Sequence, residues 1–298
     1  MNLKKTAIAL AVASVAAAPL AASADGSVYA SARIGVQYTD TGGDDSMRIR
    51  GHASRMGMKG ETDLGNGMTG HGKYEFAVAT EGTGPNVSRR HAVVGVKGDF
   101  GNVFIGQTYH TWYNMIVAPV DQPWWNSGIG MIAYRGRTSE GLSYAGDFGA
   151  VNIGATIYMR GSEPEDDIDS TELAASFDAG VATIAVGVTS EESLDDDIIG
   201  ITASGNAGSA YVAATYQMLD DDASLEAHVG IGSAYLQFGT FLLDDSDAAE
   251  PTSFTLGYTH SVGPRTTMWF EFTNTDADTD DSDDDYTAVH AVLKYDIL

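Results

Sequence analysis

The chain contains no cysteine. That excludes disulfide staples, cysteine metal sites and a thiol nucleophile. Proline is scarce, seven in 298 residues, and beyond residue 24 no apolar run approaches 18 residues. A transmembrane helix is therefore not expected there. Cations are nearly missing from the later chain. Residues 101–298 hold five Lys/Arg against 32 Asp/Glu, whereas residues 25–100 hold nine of each. The resulting net charge of −27 over 25–298 speaks against a nucleic-acid partner, because phosphate binding needs a basic footprint. Familiar catalytic motifs are missing too. There is no G-x-S-x-G and no H-E-x-x-H, and "GTGPN" lacks the Gly-Lys-Ser/Thr of a phosphate loop. "GDFG" at 98–101 and 146–149 reads as a turn, and no enzyme is expected.

Lys4 and Lys5, the run "TAIALAVASVAAAPLAA" and "ASA" at 22–24 have the form of a cleaved secretory signal. Residues 1–24 are read as that signal, leaving 274 residues, 25–298, for one exported domain.

That domain is rich in glycine, and aromatic and β-branched residues recur in segments of about ten with period two. "VYASARIGVQY" sets Val28, Ala30, Ala32, Ile34, Val36 and Tyr38 on one face, with Tyr29, Ser31, Arg33, Gly35 and Gln37 on the other. "RMGMKGETDLGNG" opposes Met56 and Met58 to Arg55, Gly57, Lys59 and Glu61. Sixteen such segments are expected, starting near 28, 50, 69, 90, 103, 138, 150, 171, 181, 198, 210, 224, 234, 253, 266 and 286. Their connections alternate. One class is short and Gly-rich ("DLGNG", "GDFGN", "GNAGS"); the other is read as longer and acidic ("DTGGDDS", "RGSEPEDDID", "LDDD", "DADTDDSDDD"). An even number of antiparallel strands with two turn classes is the pattern of a transmembrane β-barrel, whose closure satisfies every backbone group. A soluble sandwich or β-helix explains the alternation but not the two turn classes.

One connection breaks the rhythm. Between "VFIGQTYH" and "TSEGLSYAG" the segment at about 109–137 is too long and too apolar to stand free in water. It is expected to fold onto something.

Three stretches then carry a family likeness: "SRMGMKGETDLGNGMTGHGKYEF" (54–76), "RRHAVVGVKGDFGNVFIGQ" (89–107) and "GLSYAGDFGAVNIGATIY" (141–158). In them the chain resembles the general diffusion porins of Gram-negative outer membranes. The resemblance implies an all-β, 16-stranded transmembrane antiparallel barrel, a homotrimer, and a third extracellular loop folded into the pore. It also implies a constriction where basic wall residues face carboxylates. Arg55 and Arg90 match wall positions by their spacing to Gly57 and Gly95, and Glu75 matches a lumen-facing acid. Arg33 joins them from the polar face of the first strand, and Lys73 follows by parity with Glu75. Asp121 is the candidate loop carboxylate by location alone, since the family's usual loop motif is absent. Arg135 and Arg137 are substitutes for a further wall arginine. The family commonly ends in Phe, whereas this chain ends "KYDIL", with Tyr295 and Ile297 keeping outward parity.

The function expected is passive outer-membrane diffusion of small hydrophilic solutes and ions, with a weak cation preference from the acidic mouth. The alternatives are a sugar- or anion-selective porin of the same build and, further off, a structural or adhesive barrel. Trp124 and Trp125 are read as anchors of the inward loop, with a sugar-sliding strip as the second reading. His52, His71 and His91 share no metal spacing and are read as solvated or interface residues. "DADTDDSDDD" begins like a calcium loop but has Asp281 where the sixth-position glycine belongs and Thr287 at the twelfth. No cofactor is expected beyond weak Ca2+ or Mg2+ binding by acidic loops. The expected partners are lipid, lipopolysaccharide and the solutes themselves.

Overall fold

The computed structural model describes residues 24–81, 87–125, 128–161, 168–245, 248–279 and 284–298. Of the expected export signal only Ala24 is among them, and positions 280–283 of the last acidic stretch lie outside.

Seventeen strand segments form one antiparallel sheet. The first six are β1 (Ala24–Thr41), β2 (Asp44–Gly51), β3 (Arg55–Gly65), β4 (Met68–Val78), β5 (Val87–Gly98) and β6 (Gly101–Thr108). After the long connection come β7 (Thr138–Phe148), β8 (Val151–Tyr158), β9 (Ser170–Asp178), β10 (Ala182–Glu191), β11 (Ile198–Ala207) and β12 (Ala210–Leu219). The last are β13 (Asp222–Ile231), β14 (Ala234–Leu242), β15 (Thr252–Gly263), β16 (Thr266–Asp276) and β17 (Tyr286–Asp296). Segments β2 and β3 pair with consecutive parts of β1, so they are two halves of one spanning strand. The barrel therefore has sixteen strands, and β1 closes it on β17 from Ser31↔Asp296 to Thr41↔Tyr286. Closure leaves no unpaired edge, which hydrocarbon would penalise by several kcal/mol per group.

The barrel is polar inside and apolar outside. Met56 and Met58 are exposed on the outer face, as are Ile34, Val36, Val186, Leu256, Tyr295 and Ile297. Gln37, Thr189, Thr202, Gln217, Gln237 and Thr255 are buried on the inner one. A polar inner wall suits a water-filled lumen and an inward loop, and an apolar outer wall suits a hydrocarbon surround.

Two acidic connections expected to be long are tight turns. "DTGGDDS" folds over Gly42 and Gly43, both with positive φ (59° and 84°), the geometry that suits a two-residue hairpin. The second strand therefore begins at Asp44, not near residue 50. "LDDD" likewise turns at Asp220, with Leu219 paired to Asp222. Acidity marks the barrel end a turn lies at, not the length of the turn.

Two irregularities reset which side chains face inward. Ile34 pairs with Gly51 and Ser31 with Arg55, so three residues of the second strand, 52–54, oppose two of β1. Ala53 takes φ 57° at this bulge, and Ser54 both donates to the Arg33 carbonyl and accepts the Arg33 amide. The extra residue flips the parity. Even-numbered Arg48, Arg50 and His52 thereby share the inner face with odd-numbered Arg55, Gly57 and Lys59. The second irregularity lies between β4 and β5, where Glu75 pairs with His91 but Phe76 pairs with Arg89. Arg90 is the additional residue, so Arg90 and His91 both turn inward and Arg89 turns outward.

Candidate functional site

Residues 109–125 and 128–137 enter the barrel through a short π-helical turn, Tyr113–Val117, and pack on the inner wall. Trp112, Ile116, Val117, Val120 and Met131 form an apolar cluster against Ala185, Ile198 and Ala213, apolar residues on the inner faces of β10, β11 and β12. Burying this apolar set drives the loop inward.

Its backbone must then find partners away from water, and the wall supplies them. Glu172 accepts the Trp112 amide at 2.8 Å. Glu226 accepts those of Gly128 and Gly130, at 2.9 and 3.3 Å. Glu271 accepts the Trp124 amide. Gln217 accepts the Ala133 amide (2.7 Å), Gln237 donates to the Val120 carbonyl (2.9 Å), and Thr202 and Thr215 donate to the Ile116 carbonyl. At its entry, His110 lies 2.6 Å from Ser143 Oγ, and burial holds the imidazole below its ordinary value. Three wall glutamates are thus engaged by the loop and withdrawn from the water column.

The opposite wall, β1 to β5, is cationic and centred on Glu75. Glu75 is 3 % exposed; its Oε1 accepts from Arg90 Nε at 2.7 Å and its Oε2 from the Tyr29 hydroxyl at 2.7 Å. Lys73 Nζ stands 3.3 Å away, Arg55 Nη1 3.7 Å and His91 Nε2 3.9 Å. One carboxylate is therefore ringed by three certain cations. A cavity of about 470 Å³ opens here, lined by Tyr29, Arg33, Arg55, Lys59, Lys73 and Glu75. Arg33 reaches across to the loop tip, its guanidinium carbon 5.2 Å from the Trp124 ring.

The structure thus brings Arg33, Arg55, Lys73, Glu75 and Arg90 to one place. Asp121 lies on the loop but accepts hydroxyls of the loop's own residues, from Tyr113 and, at 2.6 Å, from Tyr134. Burial and the Asp121 charge push the Tyr113 phenol well above its ordinary value, so it remains a donor. Tyr113 stacks on Tyr109 at 3.7 Å, and Tyr109 accepts from Arg137. A tyrosine ladder, not a bare carboxylate, therefore links Asp121 to the cationic side. Of the two substitute arginines, Arg137 stands beside the cluster, while Arg135 is buried against Glu172 and Glu191. Trp124 stacks on Trp269 at 4.1 Å, and Trp125 lies 4.5 Å from His52.

The histidines differ from expectation. His52 and His91 are buried on the inner wall, and His71 bonds Asn102 at 2.7 Å. Arg48 and Arg50, both bonded to Gln37, were not among the expected site residues. Their signal was the alternation of "MRIRG", in which Met47 and Ile49 take the outer face. Among the described residues no group of three or more His, Asp or Glu could hold a metal ion.

Comparison with known proteins follows the same lines. A profile described as Gram-negative porin matches residues 7–296. The major outer membrane protein P.IB of Neisseria gonorrhoeae is 34% identical over 113 residues, 35% of this chain and 32% of that protein. The P.IB protein of Neisseria lactamica is 33% identical over 113 residues, again 35% of this chain and 33% of the relative. The match spans about a third of the length of these relatives. Among solved structures, an anion-selective porin from Comamonas acidovorans superposes with TM-score 0.71 at 18% identity, over 92% of this chain and all of that one. OmpF of Salmonella typhi, in complex with daunomycin, gives 0.73 at 15% identity over 91% and 97%. The trimer form of OmpT from Vibrio cholerae gives 0.70 at 16% over 92% and 99%. At these identities the structural likeness concerns the fold.

Proposed function

The chain belongs to the Gram-negative porin family, and from that premise we propose that it is a passive outer-membrane channel for small hydrophilic solutes and ions. The observation carrying this reading is the water-facing site itself. Arg33, Arg55, Lys73, Arg90 and Arg137 gather on one side of a lumen narrowed by an inward loop. Fixed charges across a narrow water column orient dipolar solutes and penalise apolar ones. These residues, with Glu75 and the Asp121 side of the loop, make up the constriction, and Trp124 and Trp125 anchor its tip.

The current is weakly cation-preferring. Acidic residues crowd the extracellular turns and raise the local cation concentration, over a reach of about 8 Å at physiological salt. A second reading, an anion-selective pore, draws support from the engagement of Glu172, Glu226 and Glu271 beneath the loop, which leaves cations dominating the narrow section. Single-channel recording with salt gradients and a size series of neutral sugars tests both. Cation-signed reversal potentials at low salt, fading as salt rises, are expected. Anion-signed potentials overturn the preference, and absence of current overturns the channel.

The protein is not an enzyme on this reading. The nearest approach to a nucleophile and base is Ser143 beside His110, but both are buried. The other His110 nitrogen faces the Gly106 and Thr138 carbonyls, with no carboxylate to orient it. The assembly is a homotrimer, which cross-linking in detergent tests. Lipopolysaccharide phosphates meet Arg89, turned to the outer face near the extracellular end of β5 beside Phe76. Weak Ca2+ or Mg2+ bridging suits the acidic residues around Glu250 and Asp278, which meet where Asp278 accepts the Glu250 amide at 2.9 Å.

A further inference from the structure

One cluster in the lumen is not used by conduction. His52, in the bulge between β2 and β3, lies beside His290 of β17, ring centroids 5.2 Å apart. They are 2 % and 0 % exposed. None of their four ring nitrogens has a hydrogen-bond partner among the described residues. The tip of the inward loop roofs them. Trp125 is 4.5 Å from His52 and 5.4 Å from His290, and Trp269, on which Trp124 stacks, is 6.2 Å from His52.

Charged groups face the pair from each neighbouring element. From β2, the Arg50 guanidinium carbon lies 4.7 Å from the Trp125 ring, and its Nε is 3.5 Å from Glu81 Oε1 in the connection after β4. From β1, Arg33 sits 5.2 Å from the Trp124 ring, and neutral Gln37 is the register partner of His290. From β16, Glu271 is its register partner on the other side. That carboxylate accepts the Trp124 amide and the hydroxyl of Tyr235 from β14.

We propose that His52 and His290 form a pH-sensitive latch beneath the loop tip, which acidification opens by charging the imidazoles and unseating residues 124–125. Two effects act in the same direction. An imidazolium under Trp125 is an unpaired buried cation close to Arg50, a costly arrangement that lifting the tip relieves by admitting water. A charged His290 also competes for Glu271 and so draws that carboxylate away from the Trp124 amide. The roof contact and the anchor weaken together. Neutral imidazoles leave both in place. Histidine suits this task because it is a side chain that packs as a neutral ring and takes up a proton in acid. The released tip swings into the water column, so conductance falls and flickers.

Three of the four tryptophans belong to this cluster, so intrinsic fluorescence reports its state. The full barrel is titrated from pH 7 to 3 in detergent and recorded in planar bilayers at the same pH values. A reversible red shift of emission accompanied by flickering is expected. The His52→Gln/His290→Gln double variant should show neither. An equal response in that variant overturns the latch and assigns the effect to Glu75, His91 or His110. No response in the unaltered protein overturns it as well. Should the double variant fail to fold, Arg50→Gln takes its place. Removing that repulsion changes the pH of tip release by half a unit or more, and an unchanged midpoint overturns the proposal.

Discussion

Gly130 of the inward loop and Gly239 of β14 approach so closely that a Cβ on Gly239 would lie 2.7 Å from the Gly130 nitrogen. A Cβ on Gly130 would meet the Gly239 Cα at 2.6 Å. Both distances are shorter than side-chain carbons tolerate. This contact lets the Gly130 amide reach Glu226. Gly239→Ala is therefore expected to push the loop off the wall at a cost of about 1–3 kcal/mol. Thermal unfolding in detergent and channel noise should both register it. Gly263→Ala, where an added Cβ meets nothing within 4 Å, is the control and should leave both unchanged.

Glu226 is fully buried and accepts two loop amides together with a Gln237 donor. Glu226→Ala strands those donors and should cost about 1–3 kcal/mol for each group left unsatisfied. Glu226→Gln keeps one acceptor oxygen and should fall between. A thermal midpoint of Glu226→Ala equal to that of the unaltered barrel would remove Glu226 from the set of loop anchors.

Replacing both Arg55 and Arg90 with Gln should move selectivity toward cations. For an ion passing about 10 Å from them, two unit charges in water and partly screened correspond to roughly a twofold change in permeability ratio. Folding should survive, because Glu75 keeps Tyr29 and Lys73 as partners. An unmoved reversal potential would place both arginines away from the narrow section.

The inside-out assignment has its own test. Val186 is exposed on the outer face of β10, and Val186→Arg should cost about 2–4 kcal/mol if it meets the middle of the hydrocarbon. Ser176 of β9 lines an inner cavity, and Ser176→Arg should be tolerated. Refolding yield into lipid vesicles compares the two. Equal tolerance would contradict the assignment.

The barrel was legible because period-two alternation with two faces of opposite character survives in almost every segment; Met56 and Met58 against Arg55 and Lys59 is the plainest case. The inward loop was legible from its length and its tryptophans. The partners of that loop were not. Glu172, Glu226 and Glu271 stand as lone acids on the polar parity of their strands, but their ligands are backbone amides some 60 to 147 positions away. No side-chain pattern marks such contacts. Parity alone also assigns Arg90 and His91 to opposite faces, and only the bulge opposite Glu75 brings them together. The two acidic tight turns misled for a related reason. The first turns on Gly42 and Gly43 and the second on Asp220, which itself takes positive φ, so the run of aspartates signals neither a long loop nor a short one.

The irregularity at residues 52–54 also limits how the gene can change. Deleting one codon there would remove the extra residue, and plain alternation would then keep Arg48, Arg50, Arg55 and Lys59 all on the water side. Removing two would leave an odd spacing with no bulge to absorb it, and would turn either Arg48 and Arg50 or Arg55 and Lys59 toward the hydrocarbon. This stretch should therefore accept the loss of one residue and resist the loss of two.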